Sequence, residues 1–261
     1  MVTQPAIAEG LLAWTGAGGL APAAEPGGRL LVADSWLVRD GRMRGLDRHR
    51  ERFLRSCGEC GGPPLRRLLE FWQDTTAALP RTGEWFPRVE LGLGARELRL
   101  LLRVAPPLGA GVRVWEAGQT DPRTVPRRKG PDLETLVLVT PTGIVLEAAT
   151  ASVLWWEDDT LCLPPPRLPV LPGVTVALIQ ERAHREGIRV AHRERTVAEL
   201  DGLEVWLVNA LHGIRPVTSW AGETGEAGEA GCEEVPMAAA PALRAPEWRT
   251  WLDDIMEPLP G

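Results

Sequence analysis

Hydrophobic residues recur with two different periods along this chain of 261 residues. Where the period is two residues, successive side chains point to opposite faces of an extended strand. Leu98, Leu100 and Leu102 alternate in this way with arginines. Apolar runs of similar length, bounded by turn residues, predict strands at 11–14, 30–38, 86–93, 97–104, 112–115, 135–140, 144–147, 152–156, 160–163, 188–192, 204–208 and 213–220.

A helical period predicts the other elements. Between two prolines and Pro80, apolar residues recur at i, i+3, i+4 and i+7, namely Leu65, Leu68, Leu69 and Trp72. This spacing predicts a helix over 64–79. Asp47 is expected to cap an earlier helix that runs to Cys57. Further helices are predicted at 173–185, 196–200 and 246–256.

The mixture of helices and strands predicts an α/β (α+β) chain with two domains. The Pro- and Gly-rich stretch at 106–111 is typical of an interdomain linker. The expected organisation is an irregular N-terminal segment at 1–28, a small α/β domain at 29–105, the linker, a second domain at 112–220, and a flexible linker with a C-terminal tail at 221–261.

Composition excludes several classes of protein. Hydrophobic residues make up 44% and charged residues 25%, as in ordinary globular chains. The net charge of −6 argues against a nucleic-acid binder. No apolar run reaches the ~20 residues needed to span a membrane, and residues 1–10 lack the basic start of a secretory signal. Four cysteines are too few for a disulfide framework, so we expect a cytoplasmic protein.

Lys129 is the single lysine among the 29 lysine and arginine residues. A lysine can lose its proton and form a Schiff base, whereas arginine keeps its charge. The alternative is a surface lysine without a role. Cys57 and Cys60 have the spacing of half a zinc site or of a redox pair, but no second ligand pair accompanies them. Helix-end cysteines without a chemical role are the favoured interpretation.

Three further positions could bind an anionic, ring-containing cofactor. Leu171-Pro172-Gly173-Val174-Thr175 opens a helix, and backbone N–H groups at a helix N-terminus bind anions. Arg52 could supply a cation to a phosphate. Glu147 ends an apolar strand, where a carboxylate would need a partner such as a protonated ring nitrogen. The alternatives are an ordinary helix start, a solvated helix face and a strand-end charge.

The order of these motifs resembles the class IV pyridoxal-phosphate aminotransferases. That family includes branched-chain and D-amino acid aminotransferases and aminodeoxychorismate lyase. The resemblance runs from about Leu30 to Trp220. It rests on the segments Asp47–Cys57 with His-x2-Arg-Phe, Val112–Lys129, Gly143–Trp155 with Gly-x-Val-x-Glu, Leu171–Thr175 with Leu-x-Gly-Val-Thr, and Glu204–Val217 with Asn-Ala.

The resemblance implies a role for each candidate residue. Lys129 would be the Schiff-base lysine and proton shuttle, and Glu147 would hold the pyridine nitrogen of pyridoxal 5'-phosphate protonated. The phosphate would be bound by Arg52, Val174, Thr175, and Asn209 or Ala210. The family fold implies a small N-terminal α/β domain, a larger barrel-like C-terminal domain and a homodimer. The substrate would be an amino acid with its 2-oxo acid.

Two alternatives to an aminotransferase follow from the same comparison. Lyase chemistry on aminodeoxychorismate would use the same lysine and ring. A non-catalytic dimeric binding protein is the second, because only Gly130–Glu134 separates Lys129 from the next predicted strand, where family members place a helix. The chain also has no tyrosine, so another group would have to contact the phenolic oxygen of the cofactor. Arg88 and Arg215 are candidate carboxylate binders.

Overall fold

The chain forms two compact units. A computed structural model describes residues 9–23, 30–93, 96–117, 136–221, 237–238 and 240–260. The first unit comprises Met1–Leu108 together with Asp253–Gly261, and the second comprises Gly109–Leu252. The chain therefore passes from one unit to the other at residues 108–109, inside the stretch with the composition of a linker.

The described residues of unit 1 form two helices and nine short strands. They are β1 (Gly10–Trp14), β2 (Leu20–Pro22), β3 (Leu30–Ser35), β4 (Val38–Arg39), β5 (Arg42–Met43), α1 (Leu46–Glu59), α2 (Leu65–Ala78), β6 (Glu84–Trp85), β7 (Arg88–Gly92), β8 (Leu98–Leu102) and β18 (Glu257–Pro258). The strand β2 lies in the segment that sequence patterns left irregular.

The main sheet of unit 1 is antiparallel throughout, with strand order β2-β1-β8-β7-β3. A smaller antiparallel sheet has the order β18-β5-β4-β6. Aromatic side chains of the main sheet and of both helices form the core. Two aromatic residues of α2, Phe71 and Trp72, lie at its centre. Trp14 contacts Phe71, Trp36 contacts Trp72, and Phe53 contacts both, at ring-centroid distances of 5.2–6.1 Å. This core fixes α1 beside β3.

The start of α1 differs from its prediction. The residue before the helix is Gly45, whose φ of 59° is left-handed and therefore favours glycine. No side chain caps the helix, and Asp47 lies in its first turn, where it pairs with Arg50 at 3.1 Å. The prediction that Asp47 caps α1 is wrong, although its charge suits this end of the helix dipole.

Helix α2 was predicted correctly, but its buried face was not. The chain buries Leu68 and Trp72, as the helical spacing indicates, together with Phe71 and two threonines. Leu65 and Leu69 are 60% and 44% exposed. Packing against the aromatic side chains of α1 and β1 rotates the helix so that Phe71 points inward.

Unit 2 is built from strands of one sheet, with helices added along the chain. Its elements are β9 (Val112–Ala117), β10 (Leu136–Val139), β11 (Val145–Ala148), β12 (Ala151–Glu157), β13 (Thr160–Leu163), α3 (Val174–Arg185), β14 (Arg189–His192), a 3-10 helix (Ala198–Leu200), β15 (Val205–Asn209), β16 (Gly213–Ala221), β17 (Met237–Ala238) and α4 (Ala245–Asp254), whose last residues belong to unit 1.

Six strands of unit 2 close into a ring with the order β11-β10-β9-β16-β15-β12, because β12 pairs again with β11. Strand β9 is parallel to both of its neighbours, and the other ring pairs are antiparallel. Strands β13 and β14 extend the sheet from β12. The predicted mixed fold with a barrel-like second domain is confirmed.

The interior of the ring is apolar and its outer face carries helices. Valines dominate the interior, where Trp155 and Trp220 are 0% and 1% exposed. On the outer face, α4 stacks Trp248 against Trp156 and Trp206 at 5.8 and 5.7 Å. Helix α3 buries Ile179 and Ala183 on its inner side. Side chains on the outer face of β11 and β12 are therefore on the side of the sheet that carries helices.

Candidate functional site

Three backbone segments meet at one edge of the unit 2 sheet. The backbone N–H of Leu171, just before α3, donates to Glu147 Oε2 at 2.8 Å. Asn209, at the end of β15, donates from Nδ2 to the Thr150 carbonyl in the turn between β11 and β12 at 3.3 Å. Together these bonds hold the α3 start, the β11–β12 turn and the β15–β16 turn side by side.

A β-bulge gives Glu147 its direction. Leu138 pairs with Glu147, but the next pair along is Val139 with Val145, so Leu146 is the extra residue. The bulge lets Val145 and Ala148 both enter the core of the ring, while Glu147 points to the opposite face. Without the bulge, strict alternation would place Val145 and Glu147 on the same face.

The first turn of α3 offers hydrogen-bond donors. An α-helix leaves its first backbone N–H groups without intrahelical partners, and no side chain caps this helix. Val174 and Thr175 are both 5% exposed. Within the described part of the chain, the Thr175 hydroxyl makes no hydrogen bond. Backbone dipoles and a buried, unused hydroxyl at one helix end fit an anion such as a phosphate.

The Asn209 side chain hydrogen-bonds to the backbone of the β15–β16 turn. Its Oδ1 accepts hydrogen bonds from the N–H groups of Leu211 and His212 at 3.1 and 2.8 Å. His212 in turn accepts a bond from the Gly109 N–H at 3.3 Å through Nδ1. Burial and the charge of Arg215 lower the pKa of His212 to about 4, so this ring is neutral near pH 7. The phosphate contacts expected of Asn209 or Ala210 stay predictions.

Arg52 lies in unit 1, where it belongs to a buried cluster. Its Nε and Nη2 donate to the two oxygens of Asp34 at 2.9 and 2.6 Å, and His49 Nδ1 donates to Asp34 at 2.9 Å. Burial raises the pKa of Asp34, but these bonds outweigh it and the net pKa is lowered. Burial lowers the pKa of His49. The predicted role of Arg52 in binding phosphate stays a prediction.

Lys129 and the short segment Gly130–Glu134 lie outside the described residues.

The cysteine pair, Cys57 and Cys60, lies within the described residues. Burial, with a smaller contribution from Cys60, raises the pKa of Cys57 to about 12, so this thiol stays protonated. Across the described ranges, no group of three or more His, Cys, Asp or Glu residues could hold a metal ion. A buried, protonated thiol is unreactive, which favours the interpretation of Cys57 as a residue without a chemical role.

Arg88 and Arg215 also have surroundings that the sequence did not indicate. Arg88 donates from Nε to the buried Glu90 at 2.6 Å, and Arg215 is 5% exposed on β16. Sequence patterns likewise missed Asp34 as the partner of Arg52. The only signal was a charged residue inside an apolar strand.

None of the described helices is long and apolar enough to cross a membrane.

Comparison with known proteins finds a family model that matches part of the chain and solved structures with the same fold. The family model of amino-transferase class IV matches residues 123–220. A hypothetical aminotransferase from Mycobacterium tuberculosis, bound to alpha-ketoglutarate and PMP, superposes with a TM-score of 0.66 at 20% identity, covering 94% of this chain and 98% of that one. No curated protein matches the chain.

Two further solved structures share the fold. The branched-chain aminotransferase of Thermoproteus uzoniensis with norvaline has a TM-score of 0.69 at 15% identity, over 95% of this chain and 99% of that one. The 4-amino-4-deoxychorismate lyase of Pseudomonas aeruginosa has a TM-score of 0.59 at 25% identity, over 80% and 92%. The chain thus resembles class IV aminotransferases over residues 123–220 and shares the fold of these solved structures.

Proposed function

We propose that this chain is a pyridoxal-phosphate-dependent enzyme that transfers an amino group between an amino acid and a 2-oxo acid. The observation that carries the proposal is the hydrogen bond between Glu147 and Leu171, which places this carboxylate beside the loop that leads into α3. The carboxylate is suited to a protonated ring nitrogen, and the first turn of α3 is a set of donors suited to a phosphate. Both lie in or beside the segment that matches the family model.

When bound, the cofactor supplies a carbonyl for the amino group and a ring that accepts electrons from the α-carbon. The carboxylate of Glu147 holds a proton at the ring nitrogen. The Leu171 N–H fixes the orientation of that carboxylate through its 2.8 Å bond to Oε2. The first-turn N–H groups of α3 and the Thr175 hydroxyl hold the phosphate. Lys129 would hold the carbonyl carbon of the cofactor covalently and, once the substrate amine displaces it, would move the proton at the substrate α-carbon.

A lyase acting on aminodeoxychorismate is the second candidate. It is favoured by the 25% identity to the lyase of Pseudomonas aeruginosa, which exceeds that to the two aminotransferases compared above. Both reactions need the same lysine, carboxylate and phosphate site. They differ in the substrate that the pocket admits. Amino donors with keto acids, and aminodeoxychorismate, are therefore assayed in parallel on the purified protein.

The decisive test concerns Lys129. The protein is purified with pyridoxal phosphate, its visible absorbance is recorded, and the cofactor is fixed by borohydride. Because the chain has a single lysine, mass spectrometry must find the adduct at Lys129 or at the N-terminus. We expect a visible band and an adduct at Lys129, and neither in Lys129→Ala. Wild-type protein without an adduct at Lys129 would falsify the proposal and favour the non-catalytic alternative.

We also propose that the protein acts as a homodimer in the cytoplasm. The family resemblance supports a dimer, and the low cysteine content supports a reducing compartment. Sedimentation of the purified protein at micromolar concentration should give twice the mass of the chain, which is 28.4 kDa. A monomer that nevertheless turns over substrate would contradict the proposed dimer without affecting the proposed chemistry.

A further inference from the structure

Ser152 lies between the two parts of the candidate site. Its cross-strand partners are Glu147 on β11 and Val208 on β15. Directly paired residues project on the same face of a sheet, so the Ser152 side chain lies beside the Glu147 carboxylate. A Cβ at Gly173 would lie 3.2 Å from Ser152 Oγ. The hydroxyl therefore also contacts the residue that immediately precedes α3.

The Ser152 hydroxyl has no partner of its own among the described residues. Some other hydroxyls of unit 2 are bonded locally: Thr140 Oγ1 bonds Thr142 and the Ile144 N–H, and Thr196 Oγ1 bonds Glu199. Ser152 is partly buried, and Thr175 is buried with its hydroxyl equally unused. Two unused hydroxyls at one helix N-terminus are suited to an anion with several acceptor oxygens.

The alternative partner for Ser152 is Glu147, and the geometry speaks against it. No hydrogen bond joins the hydroxyl to that carboxylate, although the two residues are paired across the strands. The carboxylate is instead oriented by the Leu171 N–H. The close approach of Ser152 Oγ is to Gly173, on the side of the helix start.

Resting on the proposed function, we propose that Ser152 is a further cofactor-binding residue, whose hydroxyl donates a hydrogen bond to the phosphate at the N-terminus of α3. This contact selects the phosphorylated cofactor over its unphosphorylated form. Ser152 then contributes nothing specific to the binding of pyridoxal, which has the same ring and carbonyl but no phosphate.

The test compares wild type, Ser152→Ala and the control Thr160→Ala, which removes a hydroxyl from β13 of the same sheet. Each protein is titrated with pyridoxal phosphate and with pyridoxal, followed by absorbance. We expect Ser152→Ala to bind pyridoxal phosphate about tenfold more weakly, because a hydrogen bond to a charged acceptor is lost. Its affinity for pyridoxal should be unchanged, and Thr160→Ala should match wild type with both compounds.

Inorganic phosphate provides a second readout that needs neither ring nor activity. Phosphate should raise the melting temperature of wild type and of Thr160→Ala more than that of Ser152→Ala. Equal losses for pyridoxal phosphate and pyridoxal would show that Ser152 acts through Glu147 and would overturn the proposal, as would unchanged binding of both. If wild type binds neither compound, the proposed function fails, and the phosphate titration alone decides whether Ser152 contacts an anion.

Discussion

Two polar clusters in this molecule differ in whether the fold supplies hydrogen-bond partners for their polar groups. In unit 1, His49 and Arg52 both donate to Asp34 at 2.6–2.9 Å, and both oxygens of the Asp34 carboxylate are used. In unit 2, the start of α3 leaves its first N–H groups and the Thr175 hydroxyl without a bonded side chain. Buried polar groups are normally satisfied within the fold.

The difference separates stability from function. A buried carboxylate with three hydrogen bonds to neighbouring side chains fixes the position of α1 on β3. Donors that the fold collects and does not use are available to a ligand. We therefore expect substitutions in the first cluster to affect mainly the free energy of unfolding, and substitutions around α3 to affect mainly cofactor binding and turnover.

The largest expected effect concerns Asp34→Ala. The substitution leaves the Arg52 charge and the His49 donor buried without their acceptor, so the free energy of unfolding should fall by about 3–5 kcal/mol. Urea unfolding at pH 7 measures it. Asp47→Ala is the matched control, because Asp47 lies on α1, the helix of His49 and Arg52, with its side chain 76% exposed, and should change stability by less than about 0.5 kcal/mol. Equal effects would contradict the contrast between the clusters.

The next largest effect concerns Glu147→Gln. An amide keeps an oxygen to accept the Leu171 N–H but cannot stabilise a protonated ring nitrogen. Turnover should fall on the order of 100-fold, while unfolding and the Lys129 adduct change little. Steady-state kinetics and borohydride trapping on the same preparation test this. If the variant loses its fold together with its activity, Glu147 contributes to stability and the expected role at the ring nitrogen is contradicted.

The smallest effect is a pH dependence in unit 2. The pKa of His212 falls from 6.5 to about 4 on folding, so the unfolded chain binds more protons than the folded chain between these values. This contribution to stability is present above about pH 6.5 and is lost as the pH falls towards 4. Solvent screening of the half-buried ring limits it to the order of 1 kcal/mol.

The His212 contribution is isolated with His212→Asn. Urea unfolding of wild type and variant is compared at pH 7 and pH 5, so that the other histidines cancel. Wild type should lose more stability than the variant on acidification. Parallel losses would show that the ring titrates as it does in the unfolded chain.

Most elements follow from sequence pattern. The alternation of Leu98, Leu100 and Leu102 predicted a strand whose leucines are 0–3% exposed. Arg99, on the opposite face, is only 5% exposed and lies beside Glu90. Alternation specifies that two faces exist, whereas burial of the second face depends on what packs there. On α2, the helical spacing likewise does not show that Leu65 and Leu69 are exposed, because their exposure depends on how the helix packs.

The candidate site divides in the same way. Glu147, Val174 and Thr175 were predicted as site residues from residue type and motif order, because a strand-end carboxylate and a Leu-Pro-Gly-Val-Thr helix start are local features. Asp34 and Ser152 could not be found in this way. Asp34 acquires meaning only when β3 lies against α1, and Ser152 only when β12 pairs with β11 while α3 returns beside it.

The sequence by itself determined most of the strands and helices, the single lysine and the chemistry available at Glu147 and at the α3 start. These depend on side-chain period and on groups close together in the chain. Only the tertiary structure decided that the bulge at Leu146 turns Glu147 outward towards Leu171, and that Arg52 is held by Asp34. Such contacts join residues separated by many positions, and they are set by sheet register and packing, which a local pattern does not encode.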